Sequence, residues 1–322
     1  MPGETLLILG DPAARYLAAL DALPGGTRIL AGTTAEALLP GASEARAALV
    51  TGAHRELLRE LWPRLGRLEW VHSLWAGLEG MLFQELAASP VVLTNGRGVF
   101  ARSLAEFAIA GMLHFAKDLP RMKRQQAAAE WKTFQVEELY GKVLGIVGYG
   151  SIGRATAQLA QAFGMRIHAL RRDAGKNAAD PHPERTYAPA ELNELLAASD
   201  YILVAAPLTA ETSGLIGAEA FAAMRSSAVL INLGRGPIVV EEHLIDALRS
   251  GRLRGAVLDV FDTEPLPAPH PLWGLDKVLL SPHTADHTAT WLQEAMQFFL
   301  ANFTRFCAGQ PLLNVTDKRA GY

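Results

Sequence analysis

Three short segments in the second half of the chain hold residue types suited to acid–base chemistry on a small anion. Ile231-Asn232-Leu233-Gly234-Arg235-Gly236-Pro237 sets an arginine between two glycines. The glycines leave backbone room beside a ligand, and a guanidinium grips a carboxylate through two parallel hydrogen bonds. Val260-Phe261-Asp262-Thr263-Glu264-Pro265-Leu266-Pro267 pins Glu264 among prolines, and Ser281-Pro282-His283-Thr284-Ala285 places His283 after one. Histidine is the usual proton donor near neutral pH. A neighbouring carboxylate fixes an imidazole ring and favours its charged form, while an arginine polarises a nearby carbonyl. Singly, each residue has a plainer reading: a histidine after proline as a loop residue, a glutamate before proline as one facing water. Their joint weight comes from what lies upstream.

The upstream feature is a glycine fingerprint in its proper context. Val143-Leu144-Gly145-Ile146-Val147 reads as a buried strand and runs into Gly148-Tyr149-Gly150-Ser151-Ile152-Gly153. A helical spacing follows at once, through Ile152, Ala155, Leu159, Ala160 and Phe163, and Gly164 stops it. Strand, glycine turn and helix together seat a dinucleotide pyrophosphate on the helix N-terminus. Cofactor choice turns on the end of the next strand, Met165–Leu170. There Arg171 and Arg172 match a 2′-phosphate, whereas Asp173, 20 residues past Gly153, lies near the place of an acid that reads ribose hydroxyls. Position on the strand end favours Arg171 and counting favours Asp173. NADP(H) is the preferred expectation, with NAD(H) as the alternative.

These residues need elements to hold them. The chain has 322 residues, half of them hydrophobic, which fits two domains of roughly 150 residues better than one core. Continuous apolar runs at Thr5–Gly10, Arg28–Gly32, Ala47–Gly52, Glu69–Leu74 and Val91–Asn95 suit strands buried on both faces of a parallel sheet. Helix-like stretches such as Pro12–Leu23 and Arg55–Leu65 alternate with them. Ser103–Leu119 is apolar nearly all round and predicts a helix buried on several sides, started by a Ser103/Glu106 capping box. A second series of strands follows at Lys142–Gly148, Met165–Leu170, Tyr201–Ala206, Ala228–Leu233, Gly255–Val260 and Lys277–Ser281. Gly175–Pro189 reads as a loop and Thr288–Phe306 as one amphipathic helix. The expected fold is α/β, with two doubly wound parallel-sheet domains. In such sheets ligands sit outside the carboxyl ends of strands, where Arg235, Glu264 and His283 all fall.

Bulk properties exclude other classes. Net charge is −3, from 30 basic and 33 acidic residues, with no long basic stretch to attract nucleic acid. The single cysteine, Cys307, leaves no internal disulfide and fits a reducing, cytoplasmic setting. Neither a signal peptide nor an apolar span of membrane length is expected.

The order of these motifs resembles the D-isomer-specific 2-hydroxyacid dehydrogenase family. The segments that carry the resemblance are Gly148–Gly153, Ala206-Pro207-Leu208-Thr209-Ala210-Glu211-Thr212, Asn232–Pro237, Leu258–Pro267 and Ser281–Ala285, with Asn95–Val99 and Leu104–Phe107 upstream. The resemblance implies a catalytic triad of Arg235, Glu264 and His283. It implies cofactor contacts at Ala206, Pro207, Thr212, Leu233, Gly234 and Ala285, and Asp259 on the nicotinamide carboxamide side. It implies that backbone at Trp75-Ala76-Gly77 receives a substrate carboxylate, together with Arg235 and His283. It further implies a Rossmann domain, 100–285, inserted in a flavodoxin-like substrate domain, 1–99 with 286–322, and a homodimer built through the helix matching Ser103–Leu119. Three features depart from the family pattern: no acid directly ends the second nucleotide-domain strand, Asp286 stands where glycine is frequent, and the bulky Trp75 lies in the substrate loop.

The expected reaction is reduction of a 2-keto acid to a D-2-hydroxy acid, with a small acid such as glyoxylate or hydroxypyruvate as partner. Two alternatives stand beside it: oxidation of another small anion, such as phosphite, by the same fold, and a nucleotide-sensing binding protein resembling the family's corepressors.

Overall fold

A computed structural model of the chain describes residues 4–52, 54–78, 80–172, 180–319 and 321. Two compact units emerge: Met1–Phe100 with Ala289–Tyr322, and Ala101–Thr288, so that the second interrupts the first in sequence.

The first unit begins with β1 (Thr5–Leu9), β2 (Arg28–Gly32), α1 (Ala35–Ala42), β3 (Ala47–Val50), α2 (Arg55–Leu61), β4 (Trp70–Ser73), α3 (Gln84–Ala88) and β5 (Val92–Asn95). Its sheet has the order β2-β1-β3-β4-β5, parallel throughout, which is the flavodoxin-like order. Every residue of β1, β3 and β4 is buried, as an apolar run covered on both faces requires. The edge strand β2 alone opens Arg28 and Ile29 to solvent.

The second unit holds α4 (Ala101–Ala116), α5 (Leu119–Ala127), β6 (Val143–Val147), α6 (Ser151–Ala162), β7 (Arg166–Leu170), β8 (Arg185–Tyr187), α7 (Leu192–Ala198), β9 (Tyr201–Val204), α8 (Ala218–Ala223), β10 (Val229–Asn232), α9 (Glu241–Arg249), β11 (Gly255–Leu258) and β12 (Val278–Leu280). The strands form one parallel sheet, β12-β11-β10-β9-β6-β7-β8. Strand order reverses between β6 and β9, which makes the end of β6 the switch point of a Rossmann sheet. The chain then returns to the first unit with α10 (Trp291–Cys307). Among the described residues no helix is long and apolar enough to cross a membrane.

Four local features differ from the sequence reading. Ser103 is not a cap: α4 already begins at Ala101, and the Ser103 hydroxyl donates to the Ala285 carbonyl at 2.7 Å. The segment read as a loop up to Pro189 contains β8, a three-residue edge strand too short to show alternation among its flanking prolines. Pro12–Leu23 is helical but as a 3-10 turn over Arg15–Ala22, in which Leu17 and Leu20, three apart, share the buried face. Finally, the apolar helix ends at Ala116, and a separate α5 starts beyond Asp118, whose left-handed backbone and carboxylate cap it by accepting from Arg121 N–H.

Candidate active site

The glycine loop joins β6 to α6 at the switch point. Gly148 has φ +93°, and a Cβ there would lie 2.4 Å from the Ala206 nitrogen, so only glycine lets the turn pass the chain leaving β9. A Cβ on Gly150 would meet no protein atom within 4 Å, although Gly150 is the N-cap of α6 and makes no side-chain cap. Open space at a 12-residue helix N-terminus, lined by backbone N–H groups, fits a pyrophosphate. Ser151 and Ile152 open that helix, and Gly153 packs it against Ile146. Tyr149 lies beneath the Arg171 guanidinium, 4.4 Å from ring centroid to Cζ, and partial burial pushes its phenol up to about 12.

The end of β7 presents the two arginines in different states. Arg171 is largely buried, with 9% of its side chain exposed, and faces Asp180 at 3.7 Å. Arg172 is 61% exposed and lies 4.0 Å from Glu211. Asp173, the rival acid, lies outside the described residues.

At the other strand ends the three candidate side chains take up their positions in turn. Arg235 follows β10, its Nη1 donating to the Gly234 carbonyl at 2.7 Å, while Asn232 braces the turn through the Gly234 N–H and the Arg235 carbonyl. A Cβ on Gly236 would lie 2.0 Å from the Phe261 carbonyl carbon, so the arginine turn presses directly on the chain leaving β11. Glu264 lies on that chain; its Oε1 accepts from the Phe261 N–H at 2.9 Å and its Oε2 lies 2.7 Å from His283 Nδ1. His283, beyond β12, has φ +54°, a left-handed backbone that a non-glycine residue holds only when its surroundings enforce it.

Asp259 supplies that enforcement. It is 2% exposed, and its Oδ1 accepts from Ser281 Oγ (2.6 Å), Thr284 N–H (3.0 Å) and Ala285 N–H (3.2 Å). Burial raises its carboxyl, and those hydrogen bonds pull it back. Asp259 thus ties the turn bearing His283 to the end of β11.

The remaining expected residues divide by place. Ala206 lies against Gly148 and Gly234, and Leu233 is buried behind the arginine turn. Thr212 closes the Pro207 loop on itself, its hydroxyl donating to the Pro207 carbonyl at 2.6 Å and accepting from Thr209 N–H at 2.8 Å. Trp75, Ala76 and Gly77 belong to the first unit. There Trp75 stacks on Trp291 at 4.9 Å with Phe100 beside it, and the Ala76 carbonyl accepts from Asn95 Nδ2 at 2.6 Å. Sequence reasoning did not find the bracing groups Asn232, Ser281 and Thr284, nor Asp180 and Arg154 beside Arg171. Ser281 and Thr284 lay inside a motif already singled out; Asp180 stood in a polar loop with no spacing to mark it.

A parallel sheet with a glycine loop at its switch point defines a dinucleotide-binding unit. Residues 109–285 match the family model described as D-isomer specific 2-hydroxyacid dehydrogenase, NAD binding domain. The chain is 32% identical over 268 residues to a hydroxypyruvate reductase of Blautia hydrogenotrophica, covering 81% of this chain and 82% of that one. It is 33% identical over 272 residues to a glyoxylate reductase of Pyrococcus furiosus, covering 82% and 80%. The crystal structure of a D-isomer specific 2-hydroxyacid dehydrogenase from Xanthobacter autotrophicus Py2, in complex with NADPH and MES, superposes with a TM-score of 0.82 at 29% identity over 100% of both chains. The chain belongs to the D-isomer-specific 2-hydroxyacid dehydrogenase family, and it is an NAD(P)-dependent oxidoreductase.

Proposed function

We propose that this protein reduces short 2-keto acids of the glyoxylate and hydroxypyruvate class to D-2-hydroxy acids, with NADPH preferred over NADH. The observation that carries the reading is the 2.7 Å pair between His283 Nδ1 and Glu264 Oε2, at the same sheet end as the glycine loop. The names of the two reductase relatives support the substrate class. The NADPH in the Xanthobacter relative and the buried Arg171 support the cofactor choice.

The glycine loop Gly148–Gly153 and Arg171 would hold NADPH, which would supply the hydride for C2 of the keto acid. The carbonyl π electrons move to oxygen, and His283 gives that oxygen its proton through Nε2. Nδ1 is committed to Glu264, which fixes the ring so that Nε2 is the donor side. Glu264 holds the ring in place during transfer, and the ring regains its proton from solvent afterwards. Arg235 pairs with the substrate carboxylate and polarises the carbonyl in the transition state. Its turn is held by Asn232 and pressed against the Phe261 backbone, so the guanidinium starts from a fixed base.

The test is steady-state loss of reduced-nicotinamide absorbance with NADPH and with NADH over glyoxylate, hydroxypyruvate and phenylpyruvate. Turnover of the two short acids, faster with NADPH, is expected. Tight cofactor binding without turnover of any 2-keto acid would remove the enzyme reading in favour of a nucleotide sensor.

A further inference from the structure

Asp180 lies close to where a 2′-phosphate would be read. Its side chain is 2% exposed, yet it belongs to no catalytic segment. Oδ2 lies 3.0 Å from Arg154 Nη2, on the first turns of α6, and 3.7 Å from Arg171 Nη2, at the end of β7. Oδ1 accepts from the His182 N–H at 3.1 Å and from the Tyr149 hydroxyl at 3.4 Å. The Arg171 guanidinium is in turn stacked on Tyr149, within the glycine loop. A carboxylate therefore lies within ion-pair distance of the two guanidiniums that flank the second strand end of the nucleotide sheet, its Oδ2 without a hydrogen bond from either. Carboxylate and phosphate monoester are bound by the same planar fork of donors.

We infer that Asp180 is an internal occupant of the 2′-phosphate seat and sets cofactor discrimination by competing with that phosphate for Arg171 and Arg154. The inference rests on the reading of Arg171 as the phosphate-binding residue. With NAD(H), Asp180 keeps its place between the two guanidiniums and offsets one of their two charges. With NADP(H), the phosphate displaces the carboxylate, and part of the attraction of the seat is spent on that exchange. Asp180 thereby narrows the preference for NADP(H) that two arginines alone would give.

Equilibrium titration of the purified chain with NADP⁺, NAD⁺, 2′,5′-ADP and 5′-ADP, by calorimetry, tests this without any turnover. Asp180→Asn keeps an acceptor for Tyr149 and His182 but removes the charge. It should tighten NADP⁺ and 2′,5′-ADP by roughly tenfold, the scale of one charge-assisted hydrogen bond, and leave NAD⁺ and 5′-ADP within about twofold. Asp180→Ser, smaller and equally neutral, should show the same pattern if the asparagine variant folds poorly. Unchanged or weaker NADP⁺ binding in both variants overturns the inference. Arg171→Ala separates this from the underlying reading. If that variant loses NADP⁺ selectivity while the Asp180 variants change nothing, the phosphate site stands and the competition does not. If Arg171→Ala leaves NADP⁺ binding as it was, the phosphate site itself falls and the inference with it.

Discussion

The two sheets are built by one recipe and put to different uses. Both are parallel, and their central strands are buried on both faces. In the seven-stranded sheet the candidate catalytic residues lie beyond the carboxyl ends of the strands, at Arg235, Glu264 and His283, each reached by a short turn, while His168 within β7 is buried beside Tyr187 of β8. In the five-stranded sheet polar residues lie inside the strands. Trp70 and His72 on β4 and Thr94 on β5 are all fully buried. The Thr94 hydroxyl accepts from Trp70 Nε1 at 2.8 Å and lies 2.7 Å from His72 Nδ1. The aromatic face of α10 closes over them, with Phe299 5.5 Å from both the Trp70 and His72 rings. A histidine at a strand end keeps access to water and can exchange protons. A histidine within a strand is locked neutral: burial takes His72 down to about 3. Position along the strand, rather than residue type, separates the chemical histidine from the structural one.

The largest expected effect tests the chemical side. His283→Asn should lower kcat by about 10²–10⁴-fold, the range supplied by one general acid, while the urea midpoint stays within experimental error of the parent. Glu264→Gln keeps a hydrogen-bond acceptor for the ring but not the charge, so its loss in kcat should be smaller. A His283→Asn enzyme with parental kcat would move the proton donor elsewhere and erase the contrast between the sheets.

How much of this contrast was legible in the sequence follows from where each signal lies. Strand-end residues stand in short motifs beside glycine and proline, and those types punctuate the chain. Hence the glycine loop and the segments around Arg235, Glu264 and His283 were readable, and so was the sheet class from its apolar runs. The interior network was not. Trp70, His72 and Thr94 meet only because β4 pairs with β5 in the register His72 to Thr94, and strand register is invisible in one strand's composition. The role of α10 was hidden likewise, since its amphipathic pattern announces a buried face but not what lies under it. Ser103 shows a misleading signal: its spacing to Glu106 suits a capping box, yet α4 had already begun, and the hydroxyl turned to Ala285. Asp180 illustrates pure distance, for its partners Arg154 and Arg171 come from α6 and the end of β7.

The next effect appears in acid. His72 has a folded value of about 3 against an ordinary value near 6.5, so the unfolded chain takes up a proton that the folded chain refuses. Its contribution is full above about pH 6.5 and is lost as pH falls from there toward 3, by about 1.4 kcal/mol per pH unit. Between pH 7 and pH 4.5 that amounts to roughly 2–3 kcal/mol. His72→Gln cannot take up the proton, so its stability, followed by urea titration at stepped pH, should fall less steeply than the parent's by about one proton. Equal slopes would mean that His72 is charged in the folded state and that the two histidines are alike.

The smallest expected change sharpens the same point at constant pH. Thr94 is the only side chain that satisfies both Trp70 Nε1 and His72 Nδ1 among the described hydrogen bonds, and His72 Nε2 already has no partner there. The indole can only donate, so the hydroxyl oxygen accepts from it, and the same hydroxyl pairs with His72 Nδ1. One hydroxyl therefore answers two buried rings. Thr94→Val keeps the shape and the β-branched fit to the strand but leaves the indole N–H and His72 Nδ1 without that partner. The loss should be about 1–3 kcal/mol in urea unfolding at neutral pH, with cofactor affinity unchanged because the network is confined to the first unit. A Thr94→Val chain as stable as the parent would show that the pair is answered by other groups, and that the interior of the five-stranded sheet tolerates polar residues for a reason other than this network.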